Sequence, residues 1–416
     1  MTDRRQAVRL AGLRLASSPL TALGRASRRL ARPGASDREG AAPRIVLIRP
    51  DHLGDTLLAT PTAAVLQDAL PNAQVDWLVG PWSAEVVRIA GGRGAVHTLD
   101  FPGFARVPKR STADPYVVLV REAARLRARG YDAALVLRPD HWWGAMLAAL
   151  AGIPRRFGFS IPECRPFLTG TLPAPSGHVV QSNQALARLA AHRLGGAVPV
   201  AAPILSPRFP VAPEDAAWAA RWEHAQADAA GPLVALHPGS GAPVKNWLPE
   251  RWSAVARGIF EAHDARIVLT GGPGERALVE QVASSLAPRP RTLVGETTLG
   301  QLAALFARCA LVVGGDSGPL HLAAAVGTPT VRFYGPTDVR EFGPWPPDGP
   351  HVALAAGLAC QPCRQFTDLE CGARATPPCL RALDPETVLT AVAGLLQAPR
   401  PARPSSPGVP SRAEQR

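Results

Sequence analysis

The chain has 416 residues, 46 % of them apolar, and 45 Lys and Arg against 33 Asp and Glu give a formal net charge of +12. That length suggests two or three domains of roughly 150 residues, each with chain enough for its own core. No apolar run approaches the roughly 20 residues that cross a bilayer and no uninterrupted apolar stretch of signal-peptide type opens the chain, so the expectation is a cytoplasmic protein. The elements in chain order begin with a basic extension, in which Arg4, Arg5, Arg9, Arg14, Arg25, Arg28 and Arg29 face little acid. Residues 1–43 are expected to be a disordered basic arm; the interleaved Val8, Leu10, Leu13 and Leu15 leave open a peripheral contact with the inner face of the cytoplasmic membrane.

Short β-rich runs that end in turn residues follow: RIVLIR (44–49), QVDWLVG (74–80), AALVLR (133–138), LVALHPG (233–239), RIVLTGG (266–272), CALVVGG (309–315) and PTVRFYG (329–335). Most lead through a loop into an Ala/Leu-periodic helix, the pattern of parallel sheets covered on both faces. A Pro-rich break at 202–215 splits the series into two Rossmann-like halves. The expected organisation is a domain at 44–205, a linker at 206–230, a second domain at 231–396 and a disordered Pro/Ser-rich tail at 397–416. In such sheets ligands bind beyond the carboxyl ends of the strands.

In the first half those ends carry an echo, IRPDHLGDTLLA (48–59) and LRPDHWWGAMLA (137–148). Arg49, Asp51 and His52 with Arg138, Asp140, His141 and Trp142 would form a polar, partly cationic wall with an aromatic platform suited to a sugar or acidic glycan; a chance repeat of a turn tetrapeptide is the plainer reading. Asp55 stands between Gly54 and a helix, either as an N-cap or as a general base. In the second half, HPGSGAPVKNWLPERW offers a small-residue loop with Ser240 and a point charge at Lys245 for phosphates. TGGPGE places Glu275 at a helix start, where it serves the dipole or a ribose, and GETTLG begins a helix at Thr297 and Thr298. GGDSGPLHLAAA puts Asp316, Ser317, Gly318 and His321 at another first turn, where uncapped amides bind anions. No GxGxxG follows a strand, which disfavours a dinucleotide redox enzyme.

The order RPDHLGDTLLATP, RPDHWWGAMLAALAGIPRRFGF, LHPGSGAPVKNWLPERW, TGGPGE and GDSGPLHLAAAVGTPTVRFYGPTD resembles glycosyltransferase family 9, the lipopolysaccharide heptosyltransferases, over residues 44–395. The resemblance implies an α/β GT-B architecture of two facing Rossmann-like domains with a cleft between them, donor on the second and acceptor on the first. It implies inverting transfer of a heptose from an ADP-sugar to a lipid-linked or oligosaccharide acceptor, with no cofactor, no metal and no nucleic acid. Asp55 then corresponds to the catalytic base and Lys245 with Ser240 to the phosphate loop. Glu275 falls at a ribose contact, Thr297 near the adenine, and Asp316, Ser317, Gly318 and His321 in the diphosphate-sugar site. Two other readings stay open, another GT-B nucleotide-sugar enzyme such as an epimerase, and a non-catalytic nucleotide-sugar binder. Cys360, Cys363, Cys371 and Cys379 space as CxxC-x7-C-x7-C, open to a zinc clip or to reduced structural thiols.

Overall fold

The computed structural model describes residues 2–31, 42–105, 111, 113–199, 202–225, 231–367 and 369–398, with backbone alone at 2–9, 16 and 27–31. The chain divides into two units, Met1–Pro207 and Arg208–Arg416. Past Ala398 the expected disordered tail lies outside the described residues, as do residues 32–41 of the expected arm.

The first unit is built on β1 (Arg44–Arg49), β2 (Gln74–Val79), β3 (Val96–Thr98), β4 (Ala133–Val136), β5 (Arg155–Phe159) and β6 (Gly170–Leu172). They form one parallel sheet in the order β3-β2-β1-β4-β5-β6. The second contains β7 (Leu233–His237), β8 (Arg266–Gly271), β9 (Arg291–Val294), β10 (Leu311–Gly315), β11 (Thr330–Tyr334) and β12 (His351–Ala355), in the order β12-β11-β10-β7-β8-β9. Read from its other edge, the second order repeats the first: each unit is a doubly wound α/β sheet. Along β1, Ile45 and Leu47 enter one core cluster and Val46 and Ile48 the other, so the continuous apolar run follows from burial on both faces. Each such fully buried side chain contributes about 1.5–3 kcal/mol.

The strands that the apolar runs did not mark are β3, β5, β6, β9 and β12. Four of these are the edges of the two sheets. An edge strand buries less, as the half-exposed β3, β6 and β12 show, and needs no unbroken apolar run.

Two segments differ from expectation. The basic arm forms a helix over Thr2–Ala31, and it covers the helix Trp142–Leu150, which is apolar all round and needs a cover on its outer side as well as the sheet beneath it. Leu13 is buried in that cluster, and Gly24 lets the two backbones meet, since a Cβ there would lie 2.3 Å from the Ala149 carbonyl oxygen. Residues 206–225 of the expected linker are equally structured. Phe209 N donates to Ala325 O at 3.1 Å, the helix Pro213–His224 packs on the helix Leu299–Arg308, and Glu223 pairs with Arg266 at 2.7 Å and with Arg308.

Candidate active site

A sheet of this order has a switch point where the chain leaves adjacent strands in opposite directions, opening a crevice beyond their carboxyl ends. In the first unit the adjacent pair is β1 and β4, so the two Arg-Pro-Asp-His segments emerge side by side. Asp51 is the hinge between them. One carboxylate oxygen pairs with Arg138 Nη1, and the other lies 2.8 Å from Arg49 Nε. Burial by itself would raise the Asp51 carboxyl, but Arg49 and Arg138 outweigh it and hold it below the usual carboxylate range. The Asp51 carbonyl accepts from Thr56 Oγ1 (3.2 Å), Trp82 Nε1 (3.0 Å) and Ser83 Oγ (2.8 Å), and Arg49 Nη1 donates to Leu137 O at 2.9 Å. The crevice floor is therefore cross-braced.

Asp55 is the third residue of the helix Leu53–Ala59, whose N-cap is His52. The capping alternative for Asp55 is removed. Its carboxylate is 37 % exposed, with Oδ1 3.8 Å from Arg49 Nη2. His52 is exposed and its ring lies tilted on Trp82, with centroids 5.2 Å apart.

Two residues expected to touch an acceptor sit elsewhere. Arg49 is buried against Asp51 and Leu137 O, and His141, 5 % exposed, stands among Phe101, Phe104 and Trp143. Burial pushes the His141 pKa down to about 4, and neither ring nitrogen has a hydrogen-bond partner. Gly144 makes room for the ring, since a Cβ there would lie 2.4 Å from its Nδ1. Trp142, expected in the aromatic platform, packs against the same core cluster. Arg138, partly exposed and bonded to Asp140 at 2.7 Å, is the cation left at the rim.

In the second unit the switch point lies between β7 and β10, and the loops leaving them carry the phosphate-loop candidates and the Asp-Ser-Gly turn. Lys245 Nζ reaches Asp316 Oδ2 at 2.7 Å, which also accepts from Thr337 Oγ1 at 2.7 Å. His321 Nε2 stands 3.6 Å from Asp316 Oδ1. Burial would raise the Asp316 carboxyl, yet Lys245 and His321 hold it far below its ordinary value. Asp316 thus anchors Lys245; it neither caps the helix nor stands exposed to a sugar. The N-cap is Ser317, whose hydroxyl makes no capping bond. That hydroxyl, 7 % exposed, has no partner at all, at the head of the helix Gly318–Ala325, where Pro319 carries no N–H and Leu320 N already donates to Ser317 O at 3.2 Å, so that Gly318 N is the first-turn amide left to face outward. An ammonium with two further donors, an unpaired hydroxyl and the Gly318 amide are donors of the kind an anion requires.

Other candidates surround this turn. Ser240 Oγ lies 2.7 Å from both Ala242 O and Asn246 Oδ1 in the loop after β7. Glu275 accepts from Gly272 N at 2.6 Å and faces His237 Nε2 at 3.7 Å; Gly239 is what admits it, because a Cβ there would fall 2.1 Å from its carboxyl carbon. Thr297 precedes the N-cap Thr298, which closes a capping box with Gln301. Residues that the sequence reasoning passed over are Trp82, Thr337, His237 and, above all, Arg332, a fully buried cation inside β11. A charge in the middle of an apolar strand run, as in PTVRFYG, is the signal that would have found it. The four C-terminal thiols are free and line one cavity of about 40 Å³, where burial, with Cys363 and Cys360 nearby, raises the Cys379 pKa. Among the described residues no group of three or more His, Cys, Asp or Glu is placed to hold a metal ion.

Comparison with known proteins agrees with the fold. The profile of glycosyltransferase family 9 (heptosyltransferase) matches residues 119–373, more than half of the chain. A lipopolysaccharide heptosyltransferase 3 of Escherichia coli is 28 % identical over 302 residues, 70 % of this chain and 83 % of that one. A lipooligosaccharide heptosyltransferase 2 of Haemophilus influenzae is 27 % identical over 310 residues, 72 % and 85 % of the two chains. Among solved structures, the glycosyl transferase family 9 protein of Veillonella parvula superposes with a TM-score of 0.69 at 24 % identity, covering 86 % of this chain and 98 % of that one. The E. coli ADP-heptose LPS heptosyltransferase II gives 0.65 at 21 %, covering 85 % and 98 %. These likenesses show a shared GT-B fold.

Proposed function

The chain belongs to glycosyltransferase family 9, and on that premise we propose that it moves a heptose from ADP-heptose to a hydroxyl of a lipopolysaccharide-core or other envelope-glycan acceptor, with inversion and without a metal ion. The observation that carries this reading is the second-unit crevice, where Asp316 holds Lys245 beside the unpaired Ser317 hydroxyl at a helix N-terminus. Such a site fits a diphosphate, and it is where charge develops when a nucleoside diphosphate departs. The relatives named for lipopolysaccharide and lipooligosaccharide heptose transfer, and the solved relative named for ADP-heptose, support the choice of sugar, nucleotide and acceptor class.

In the proposed reaction Asp55 takes the proton of the acceptor hydroxyl as its oxygen attacks the anomeric carbon. The carbon–oxygen bond to the diphosphate breaks, and its electron pair leaves on the β-phosphate oxygen. One carboxylate suffices, because a single in-line displacement inverts the centre and needs no second nucleophile. Lys245, the Ser317 hydroxyl and the Gly318 amide take up the leaving-group charge, the role a divalent ion otherwise fills. Glu275, Ser240 and Thr297 are proposed for the nucleoside end, and Arg138 and His52 for the acceptor.

The test pairs Asp55→Asn with a donor screen. ADP is expected to raise the melting temperature of both proteins alike, since a ligand that binds only the folded state stabilises it. Transfer by Asp55→Asn should fall by about 10² to 10⁴-fold. Wild-type turnover in the variant would move the base elsewhere. Transfer abolished by EDTA and restored by Mg²⁺ would overturn the metal-free step.

A further inference from the structure

The helix Thr2–Ala31 carries leucines on both its inward and its outward side. Its inward face, at spacings of three and four, carries Leu13, Ser17, Leu20, Thr21 and Gly24, so two hydroxyls lie against the protein beside two leucines. Outward it presents Leu15, 79 % exposed, and Leu23. A helix covering a core normally turns its apolar residues in and its polar ones out. Arg14 and Arg25, both exposed, flank the outward leucines, and no acidic residue occurs between positions 4 and 36.

A second helix of the same unit repeats the feature. Asp114–Arg129 exposes Tyr116, Val117 (64 %) and Val120 on one side, next to Arg121. It lies alongside Trp142–Leu150: Trp143 Nε1 donates to Pro115 O at 3.2 Å near one end, and Arg127 Nη2 donates to Leu150 O at 2.8 Å near the other. Thr2–Ala31 rests on that same central helix and touches Asp114–Arg129. All the exposed large apolar side chains described in the first unit belong to these two neighbours.

We infer that these two helices form a docking surface for an anionic phospholipid bilayer, the apolar side chains entering below the headgroups and the arginines pairing with lipid phosphates. Charge decides between this partner and a second copy of the chain. Among the described side chains of the first helix the charged ones are Arg14 and Arg25, with no acid, and Arg121 adds a third cation on the second helix, so two such faces repel one another, whereas anionic headgroups complement them. The start of Asp114–Arg129 meets Trp143 at the start of the helix that follows β4, at the carboxyl end of the sheet where β1, lying beside β4, leads to Asp55, so the docked face lies at the end of the unit proposed for a lipid-anchored acceptor.

The experiment is co-sedimentation of the full chain with vesicles of phosphatidylglycerol and phosphatidylcholine in equal parts, and with phosphatidylcholine alone. Binding is expected to the mixed vesicles, to weaken with salt, and to be absent on the neutral ones. Leu15→Asp with Leu23→Asp, and separately Val117→Asp with Val120→Asp, should each lower binding by about tenfold or more, since a carboxylate must then enter the interface. These side chains face outward, so the melting temperature and its rise with ADP should stay as in wild type. Vesicle binding needs neither donor nor acceptor, which separates its outcome from that of the transfer reaction. Undiminished binding by both variants, or no binding by wild type, overturns the inference. A wild-type dimer that Leu15→Asp with Leu23→Asp splits in sedimentation velocity overturns it too, by assigning the face to a second copy.

Discussion

Arg332, buried in the middle of β11, stands with Nη1 3.0 Å from Nδ1 of His321. Arginine has no acceptor, so Nδ1 must accept and the imidazole proton sits on Nε2, facing Asp316 Oδ1. Arg332 Nη2 also donates to Leu320 O at 2.8 Å and Nε to Thr330 Oγ1 at 3.1 Å, which fixes the guanidinium in place. Burial first, and then the Arg332 charge, lower the His321 pKa, so the ring is neutral beside Asp316. Arg332→Met removes that charge and frees the tautomer. The acid limb of the kcat–pH profile should move to higher pH, because His321 then protonates more readily. A profile lowered throughout with unmoved limbs would leave Arg332 a packing residue only.

The Lys245–Asp316 pair permits a separation of stability from binding. Lys245→Ala leaves a buried carboxylate with Thr337 and a neutral imidazole, a change of the kind that costs about 3–5 kcal/mol, and the melting temperature should drop. Lys245→Ala combined with Asp316→Asn removes both charges and should restore most of the melting temperature. ADP affinity, measured by calorimetry, should stay low in both. Wild-type ADP affinity in the double variant would remove this pair from the donor site.

Ser317 offers the reverse test. Its hydroxyl has no partner in the free protein, so Ser317→Ala should leave stability unchanged or slightly raised. If the hydroxyl bonds a diphosphate oxygen, ADP affinity should fall roughly tenfold, since hydrogen bonds to charged groups contribute about 1.5–3 kcal/mol. Unchanged affinity by titration calorimetry would place the phosphates elsewhere.

His141 predicts acid sensitivity. Its folded pKa of about 4 lies below the ordinary 6.5, so the unfolded chain binds the proton first as pH falls. The stabilisation is complete above pH 6.5 and is lost progressively as pH falls towards 4. Urea unfolding at pH 7 and pH 5 should show His141→Phe losing about 2 kcal/mol less than wild type over that interval. His351, which burial and then Arg332 press down to about 3, leaves a residual loss of the same sign in both proteins. Equal losses would show that His141 titrates normally.

Much of the site could be read from local features. Asp55, Lys245 and Ser317 all follow apolar runs that end in turn residues, and in a parallel sheet such positions lie at the carboxyl edge whatever the strand order. The inner strands were visible for the same reason, since burial on both faces demands unbroken apolar runs such as RIVLIR. The edge strands and the structured character of Thr2–Ala31 were not. A helix with leucines on both its inward and its outward side shows no clear stripe, and its role becomes plain only with the all-apolar helix it covers.

What the sequence by itself determined is which side chains stand at strand ends, because strand, turn and helix start are decided by neighbouring residues. What only the tertiary structure decided is which of them meet. Asp51 and Arg138 are 87 positions apart, and Lys245 and Asp316 are 71 apart. They pair because β1 lies beside β4 and β7 beside β10, an adjacency set by strand order. The same packing withdraws Arg49 and His141 into the protein, leaves the Asp55 carboxylate partly exposed and leaves the Ser317 hydroxyl without a partner. Burial depends on every element around a residue, and no local run of sequence encodes it.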